Sequence, residues 1–232
     1  APSNRIVMAG IGLGGRGTAD LRSWILPDPE AQFVAICDVQ RSRRAAIKAM
    51  TDKHYGNKDC KMYVEMMEVL ERPDIDAILT ATSDRLHATV SVRAMRAGKD
   101  VYTEKPASMT IAEGQAVVQT ARQYGRVYQA GMQRLSEANF IVCNELLRLG
   151  RLGEVKTVYA HLAPWGNVNM SREWLAAEPL PDPDELDWDR WLGPCPWRPF
   201  NKHYVHGGWH AQHDFYTSVI GEWGSHTFAQ CH

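Results

Sequence analysis

The stretch Ile11-Gly-Leu-Gly-Gly-Arg-Gly17 decides the fold, because it interrupts an apolar run that begins after Arg5. An apolar run of this length that stops at glycines is typical of a buried parallel strand entering a tight turn. Gly12, Gly14 and Gly17 fit the pattern G-x-G-x-x-G. The first glycine permits the turn, the second lets the backbone approach a pyrophosphate, and the third lets the next helix pack against the strand.

An acidic residue at the end of the next strand is the second feature of a dinucleotide site. Asp38 ends the apolar run 32–37 and lies 21 residues after Gly17, against an expected spacing of about 20. A helix predicted from Gly15 to Leu26 would direct its N-terminal N–H groups at the phosphates. We therefore predict a dinucleotide-binding site; the alternative is a glycine-rich structural turn.

Composition and charge exclude several other classes. The 232 residues allow one large domain or two modest ones. With 26 basic and 27 acidic side chains, the chain has no basic field for nucleic acid or an anionic membrane. No apolar run approaches the roughly 20 residues of a membrane span. The five cysteines are scattered without a C-x-x-C pair, so they predict neither a disulfide framework nor a zinc ribbon.

Strand and helix signals alternate as far as about Gln133. Further strands are predicted at 61–64, 75–80, 100–103 and 126–129. One intervening helix begins at the capping box Thr110-x-x-Glu113. The alternation predicts a parallel sheet covered on both faces. Beyond it we predict a helix at 139–149, a long strand at 154–162 and a loop-rich surface segment at 165–204.

Polar stretches follow two of these strands. Residues 81–87 lie at the carboxyl end of the fourth strand, where open α/β sheets bind ligands, and the alternative is a turn that caps a helix with Ser83 or Asp84. Lys105, after the fifth strand, would reach the same crevice and could polarise a carbonyl or an alkoxide. A surface salt bridge is the alternative for Lys105.

Two histidine patterns lie near the end of the chain. Glu222 and His226 are four residues apart, so they share a face of a helix, and a carboxylate that orients an imidazole forms a general base. The alternative is a helix pair without chemistry. The histidines of 203–213 could bind a metal, but Gly207-Gly208 argues against a helix there and favours a polar loop that lines a substrate pocket.

Several motifs together resemble the Gfo/Idh/MocA oxidoreductases, a family of glucose–fructose oxidoreductase, inositol dehydrogenase and rhizopine-catabolism relatives. The motifs are the glycine loop, Cys37-Asp38, Ala81-Thr-Ser-Asp-x-x-His87, Ala97-Gly-Lys-Asp-Val-Tyr-x-Glu-Lys-Pro106 and Gly131-Met-Gln-Arg134. The stretch 187–200 is similar to a loop of a sugar-processing branch of the family. The resemblance runs from about Arg5 to Cys231, and its most specific part ends at Pro106.

The resemblance implies a Rossmann domain, a doubly wound parallel sheet, at 1–133, followed at 134–232 by an α+β substrate domain with an open sheet. Lys105 corresponds to the catalytic lysine of the family. Glu222 and His226 correspond to its D-x-x-x-H pair, with glutamate in place of the usual aspartate. Family chains continue well past this helix, so we expect the sequence to be incomplete or to form a tight homo-oligomer. The start at Ala1 fits a removed export signal or a trimmed chain, so the compartment stays open between cytoplasm and periplasm.

The resemblance also implies a cofactor and a reaction. We expect an NAD(P)-dependent enzyme that transfers hydride from a sugar or polyol hydroxyl. Asp38 would repel a 2′-phosphate and favour NAD, while Arg41 keeps NADP open. Two alternatives are an NAD-dependent glycosidase or lyase and a non-catalytic dinucleotide-binding regulator. The expected cofactor-binding residues are Gly12, Leu13, Gly14, Gly15, Arg16, Gly17, Asp38, Thr82, His87, Glu104, Lys105 and Gln133.

Overall fold

A parallel sheet forms the N-terminal part of the protein. The structure is a computed structural model that describes residues 4–162 and 170–231. The strands are Ile6–Ile11 (β1), Ala31–Cys37 (β2), Lys61–Tyr63 (β3), Ala77–Thr80 (β4), Asp100–Glu104 (β5) and Tyr128–Gly131 (β6). They form a six-stranded sheet in the order β3-β2-β1-β4-β5-β6, and all neighbouring pairs are parallel. The predicted doubly wound sheet is confirmed, and its order reverses between β1 and β4.

Helices as far as Tyr124 connect the strands and cover both faces of the sheet, and further helices follow the last strand. They are Gly15–Asp20 (α1), Arg41–Tyr55 (α2), Met66–Leu70 (α3), Asp84–Arg96 (α4), Ile111–Tyr124 (α5), Ala138–Arg148 (α6), Trp188–Leu192 (α7), Lys202–Val205 (α8) and Ser218–Cys231 (α9). Short 3₁₀ helices lie at Gln133–Ser136 and Gly208–Ala211. Within the described ranges, no helix combines the length and apolar character that crossing a bilayer requires.

Two hydrophobic clusters separate the faces of the sheet. Leu21 and Ile47 bring the segment after α1 and helix α2 onto one face. Val69, Val90 and Val117 bring α3, α4 and α5 onto the other. Because both faces are covered, the carboxyl edge of the strands remains as the place where polar side chains can meet a ligand.

Local sequence signals fix several helix ends. The capping box is present: Glu113 N–H donates to Thr110 Oγ1 at 3.2 Å, and Thr110 N–H donates to Glu113 Oε2 at 3.0 Å. The helix predicted over Gly15–Leu26 differs in its second half. The α-helix ends at Asp20, and a π-helical stretch follows at Leu21–Ile25.

The strand predicted at 154–162 was wrong, because these residues form no strand in the structure. A strand needs a neighbour for its backbone hydrogen bonds. Residues 154–162 pair with none of the strands in the described ranges, not even with β6, which lies at the edge of the sheet. The alternation of residue types in 154–162 could not show that the stretch would lack a paired strand. The same region leaves several side chains of α6 exposed, namely Ile141, Val142, Leu146 and Leu147.

Part of the predicted loop-rich segment 165–204, together with residues as far as Phe215, forms a third core instead of only wrapping the surface. Its buried members include Trp188, Tyr204 and Phe215. The segment is attached to α4 by Arg85, whose Nε donates to Leu192 O at 3.0 Å. The part of the predicted loop at 165–169 lies outside the described residues. The attachment places the segment over the carboxyl edge of the sheet.

Candidate active site

A cavity of about 930 Å³ extends along the carboxyl ends of the strands. Gly12 and Asp38 line one end, and Lys105 and Glu222 line the other. Residues from the stretch 191–210 line a further wall. The volume lies within the range of about 300–1,000 Å³ that small-molecule sites occupy.

The glycine loop leaves space on the cavity side. Gly12 has φ +68°, and a Cβ there would overlap Thr82 Cγ2. A Cβ on Gly17 would lie 2.8 Å from Ala81 Cβ, just after β4, so this glycine lets α1 pack closely against the end of that strand. A Cβ on Gly14 would meet no atom closer than Arg43 Nη1, at 3.7 Å. Thus Gly12 and Gly17 are required by the fold, whereas Gly14 opens the backbone to the cavity, as a bound pyrophosphate requires.

Asp38 lies at the end of β2 with its side chain in the cavity wall. Its Oδ1 accepts from Gln40 N–H at 2.9 Å. Burial raises the pKa of Asp38, and the Gln40 N–H and the charge of Arg43 oppose that rise. Arg43 lines the cavity, whereas Arg41 pairs at 3.1 Å with the exposed Glu185. Arg43 therefore lies in the cavity wall with Asp38, whereas Arg41 is paired at the surface; which arginine meets a 2′-phosphate stays a prediction.

These residues fit a bound dinucleotide. Gly14 leaves backbone open beside the start of α1, where phosphate charge is favoured. Asp38 has a buried carboxylate that could accept hydrogen bonds from ribose hydroxyls. Gly15, Arg16 and Thr82 also line the cavity.

Glu104 is bonded by three predicted site residues. Arg16 Nε donates to Glu104 Oε1 at 3.2 Å, and Gln133 Nε2 donates to the same oxygen. Lys105 N–H donates to Oε2 at 3.2 Å. Arg16 also lies 2.7 Å from Asp20, where burial, together with the charge of Glu104, raises the carboxyl pKa to about 7. The glycine loop and the segment that carries Lys105 are thus joined through one carboxylate.

Three residues predicted to contact the cofactor have side chains that contact other parts of the protein. Leu13 is 1% exposed and packs in the core below the loop. The amide of Gln133 is already bonded to Glu104. His87 borders the cavity, but its ring nitrogens lie 2.6 Å and 3.0 Å from backbone carbonyl oxygens. These side chains thus make contacts within the protein, and their contacts with a cofactor stay a prediction.

Lys105 and Glu222 meet in the structure. Lys105 Nζ donates to Glu222 Oε1 at 2.9 Å, and the hydroxyl of Tyr216 donates to Oε2. Burial alone would raise the pKa of Glu222, but the hydrogen bonds from Tyr216 and Lys105 outweigh it and lower the pKa. Glu222 is therefore an anion at neutral pH that holds the lysine ammonium.

His226 lies on α9, one turn beyond Glu222, and is 6% exposed. Burial lowers its pKa, and the charges of Lys105 and Arg134 lower it further. Its Nδ1 is buried with no hydrogen-bond partner among the described residues. Glu222 was expected to orient His226, but among the described residues no hydrogen bond joins them, and Glu222 accepts from Lys105 and Tyr216 instead. His226 is instead a neutral imidazole near a lysine ammonium.

The histidines of 203–213 have other contacts. His206 Nδ1 lies 2.9 Å from a backbone carbonyl oxygen on α8, and His210 Nδ1 lies 2.8 Å from Gly207 O. Across 4–162 and 170–231, no group of three or more His, Cys, Asp or Glu side chains could hold a metal ion. His206 and His210 line the cavity, so they contribute polar groups to its wall.

Tyr216 is the site residue that sequence analysis missed. It precedes α9, so no helical spacing relates it to Glu222, and its bond to that carboxylate depends on how the chain turns before the helix. Trp223 was also missed. Its ring centroid lies 5.5 Å from Lys105 Nζ and 5.6 Å from Arg134 Cζ, so the aromatic ring is close to two cations.

Comparison with known proteins identifies relatives over both parts of the chain. Inositol 2-dehydrogenase of Salmonella paratyphi B is 27% identical over 150 residues, covering 64% of this chain and 43% of the relative. Inositol 2-dehydrogenase/D-chiro-inositol 3-dehydrogenase of Lacticaseibacillus casei is 27% identical over 187 residues, covering 79% and 52%. The chain thus spans about half the length of these relatives or less.

Solved structures share the fold. The crystal structure of myo-inositol 2-dehydrogenase from Lactobacillus plantarum aligns with a TM-score of 0.57 at 21% identity, covering 65% of this chain and 43% of that one. The family model for the NAD-binding Rossmann fold of this oxidoreductase family matches residues 5–132, and the model for its C-terminal alpha/beta domain matches residues 155–231. Because the first match covers more than half of the sequence, the chain belongs to the Gfo/Idh/MocA oxidoreductase family.

Proposed function

We propose that the protein oxidises a CH–OH group of a polyol or sugar with NAD as the hydride acceptor. The observation that carries the proposal is Lys105 at the end of the dinucleotide cavity, bonded to Glu222 and close enough to lower the pKa of His226. An ammonium and a neutral imidazole are the groups needed to hold and deprotonate a carbinol. The inositol dehydrogenases among the relatives support a polyol substrate.

His226 is the general base of the proposed reaction. As a neutral imidazole it accepts the hydroxyl proton while the substrate carbon loses a hydride. Bound NAD would supply the hydride acceptor. The lowered pKa of His226 keeps the ring unprotonated at neutral pH, which is the form that can accept a proton.

Lys105 stabilises the oxygen that loses its proton. An ammonium has three N–H donors, so the bond to Glu222 leaves two for the substrate oxygen. Negative charge develops on that oxygen as the proton leaves, and a donor already in place stabilises it most. Glu222 holds Lys105 in position, and Tyr216 holds Glu222.

The remaining assignments extend this proposal. We assign residues 1–133 to dinucleotide binding and 134–232 to the substrate side. NAD is preferred over NADP because Asp38 would repel a 2′-phosphate. The predicted homo-oligomer is tested by light scattering, in which a compact and fully active monomer would contradict it.

The direct test replaces Lys105. Lys105→Met should lower kcat by about 10²- to 10³-fold, in line with the loss of a donor to a developing oxyanion, and leave the affinity for NAD unchanged. The matched control is Lys53→Met, which removes an exposed lysine from α2. NADH formation with a polyol and sugar panel gives kcat, and calorimetry gives the dissociation constant. Unchanged turnover in Lys105→Met would reject the role.

An NAD-dependent glycosidase is the second candidate. Trp209 and His210 border the cavity and could contact a group attached to a sugar. Release of an aglycone without added NAD, and without net NADH, would favour this candidate. Tight NAD binding with no turnover on either panel would favour a regulatory protein.

A further inference from the structure

The first turn of α4 is bonded to both parts of the proposed active site. Asp84 and His87 lie one turn apart on this helix and are 3% and 2% exposed. Asp84 accepts a hydrogen bond from Thr217, which directly precedes α9. His87 is in hydrogen-bond contact with the carbonyl oxygen of Pro106, the residue after Lys105. One helix thus holds the two segments that carry the proposed catalytic groups.

Asp84 holds the start of α9. Its Oδ2 accepts two hydrogen bonds from Thr217, at 2.9 Å from the N–H and 2.7 Å from Oγ1. Thr217 directly precedes Ser218, the first residue of α9, which has φ +78°. A carboxylate at this end of a helix is also favoured by the helix dipole. Since α9 carries Glu222 and His226, Asp84 fixes the position of the helix from which both side chains extend.

His87 holds the backbone beside Lys105. Its Nδ1 lies 2.6 Å from Pro106 O, and its Nε2 lies 3.0 Å from Thr82 O. Both partners are acceptors, so a neutral ring can donate to only one of them. Burial lowers the pKa of His87, which favours that neutral ring. The shorter contact is to Pro106, the residue that follows Lys105.

We propose that Asp84 and His87 are positioning residues that set the distance between Lys105 and the side chains of α9. A rise of 1.5 Å per residue puts their attachment points only about 4.5 Å apart along α4, so both act from one short, rigid stretch. The result is the 2.9 Å contact between Lys105 and Glu222. The inference rests on the proposed dehydrogenase function, in which this distance determines the rate.

Turnover tests the proposal through Asp84 and its partner. Asp84→Ala should lower kcat by about tenfold to a hundredfold, the cost of a displacement near 1 Å, with the affinity for NAD unchanged. Asp84→Asn keeps an oxygen that can accept both bonds, so it should restore most of the rate. Thr217→Val removes only the hydrogen bond from the hydroxyl, so its kcat should lie between those of Asp84→Ala and Asp84→Asn. The double variant should be no slower than Asp84→Ala, because Thr217 acts through Asp84.

Hydrogen exchange gives a readout that does not depend on activity. Amides of 218–226 should exchange faster in Asp84→Ala than in the unmodified chain, and Asp84→Asn should exchange at nearly the unmodified rate. Asp59→Ala, which removes an exposed carboxylate, is the matched control for loss of charge. A merely structural loss would speed exchange throughout the sheet instead of at α9.

The outcomes separate this inference from the proposed function. Normal kcat in Asp84→Ala overturns the inference, whether or not exchange at 218–226 changes. If the unmodified chain binds NAD but oxidises no polyol or sugar, the proposed function fails, and unchanged exchange in Asp84→Ala would still overturn the positioning of α9. If Asp84→Ala does not fold, Thr217→Val decides with the same two measurements.

Discussion

Lys105 Nζ lies 2.9 Å from Glu222 Oε1, across 117 residues of sequence. The two side chains are only 12% and 20% exposed, so solvent screens their attraction less than it would at the surface. The contact joins the end of β5 to α9. It gives Glu222 a partner from another segment instead of a partner on its own helix, so the carboxylate helps to fix the position of the lysine ammonium.

Replacing Glu222 by glutamine should therefore slow the reaction through Lys105. Glu222→Gln keeps the size of the side chain but removes the charge that holds the ammonium. Loss of a charged hydrogen bond of about 1.5–3 kcal/mol corresponds to a fall in kcat of about tenfold to a hundredfold. Steady-state kinetics with saturating NAD measures this. Glu145→Gln, in an exposed pair with Arg148, is the control and should change nothing. A normal kcat in Glu222→Gln would contradict the assigned role.

The pH dependence of oxidation should report His226. The ring must be neutral to accept a proton, so activity falls as pH drops through its pKa. Burial and the charges of Lys105 and Arg134 lower that pKa, which puts the acid limb of kcat/KM below the ordinary value of about 6.5. Removing one of these charges in Arg134→Gln should move the limb to higher pH. An acid limb that stays in place in Arg134→Gln, or persists in His226→Asn, would assign it to another group.

The parts of the protein that depend on local chemistry were predictable from the sequence. Gly12 and Gly17 could be assigned because a turn and a close helix each exclude a Cβ there. Thr110 and Glu113 form their capping box within one turn, so no distant segment can alter it. The sheet followed from the same local alternation of strands and helices.

Contacts between distant segments were not predictable. The spacing on α9 predicted that Glu222 pairs with His226, but in the structure Glu222 accepts hydrogen bonds from Lys105 and Tyr216. The stretch 154–162 alternates like a strand yet has no neighbouring strand among the described residues. In both cases the outcome depends on which segments dock together, and neither periodicity nor residue type contains that information.

Gly12→Ala should weaken both folding and NAD binding. A φ of +68° costs an alanine about 1–2 kcal/mol, and the new Cβ would also overlap Thr82 Cγ2. Gly56→Ala is a matched control, since Gly56 has φ +67° with no atom within 4 Å of the Cβ position. Thermal unfolding should show a larger loss for Gly12→Ala than for Gly56→Ala. Adding Thr82→Ser, which removes Cγ2, should recover part of the difference; equal losses in both single variants would contradict the overlap.

Asp38 and Arg43 should together determine the choice between NAD and NADP. Asp38→Ser removes the anion that repels a 2′-phosphate, and Arg43 already lines the same end of the cavity. The ratio of kcat/KM for NADP to that for NAD should rise by about tenfold to a hundredfold, the value of a charged hydrogen bond. Arg43→Ala in the Asp38→Ser background should reverse the gain. If Arg41→Ala reversed it instead, the surface pair with Glu185 would have to open to reach the cofactor.

Asp20 should make the protein less stable as pH rises to neutrality. Burial and the neighbouring Glu104 raise its pKa to about 7, and the charge of Arg16 only partly opposes the rise. The folded protein thus binds this proton more tightly than the unfolded chain, in which an aspartate titrates near pH 4. The stabilising contribution is therefore complete below about pH 4 and is lost as pH rises towards 7. Asp20→Asn cannot ionise, so its Tm should rise relative to that of the unmodified chain between about pH 4 and 7. Thermal unfolding across that range, with the exposed Asp59→Asn as control, measures the difference. A Tm difference that is constant with pH would contradict the raised pKa of Asp20.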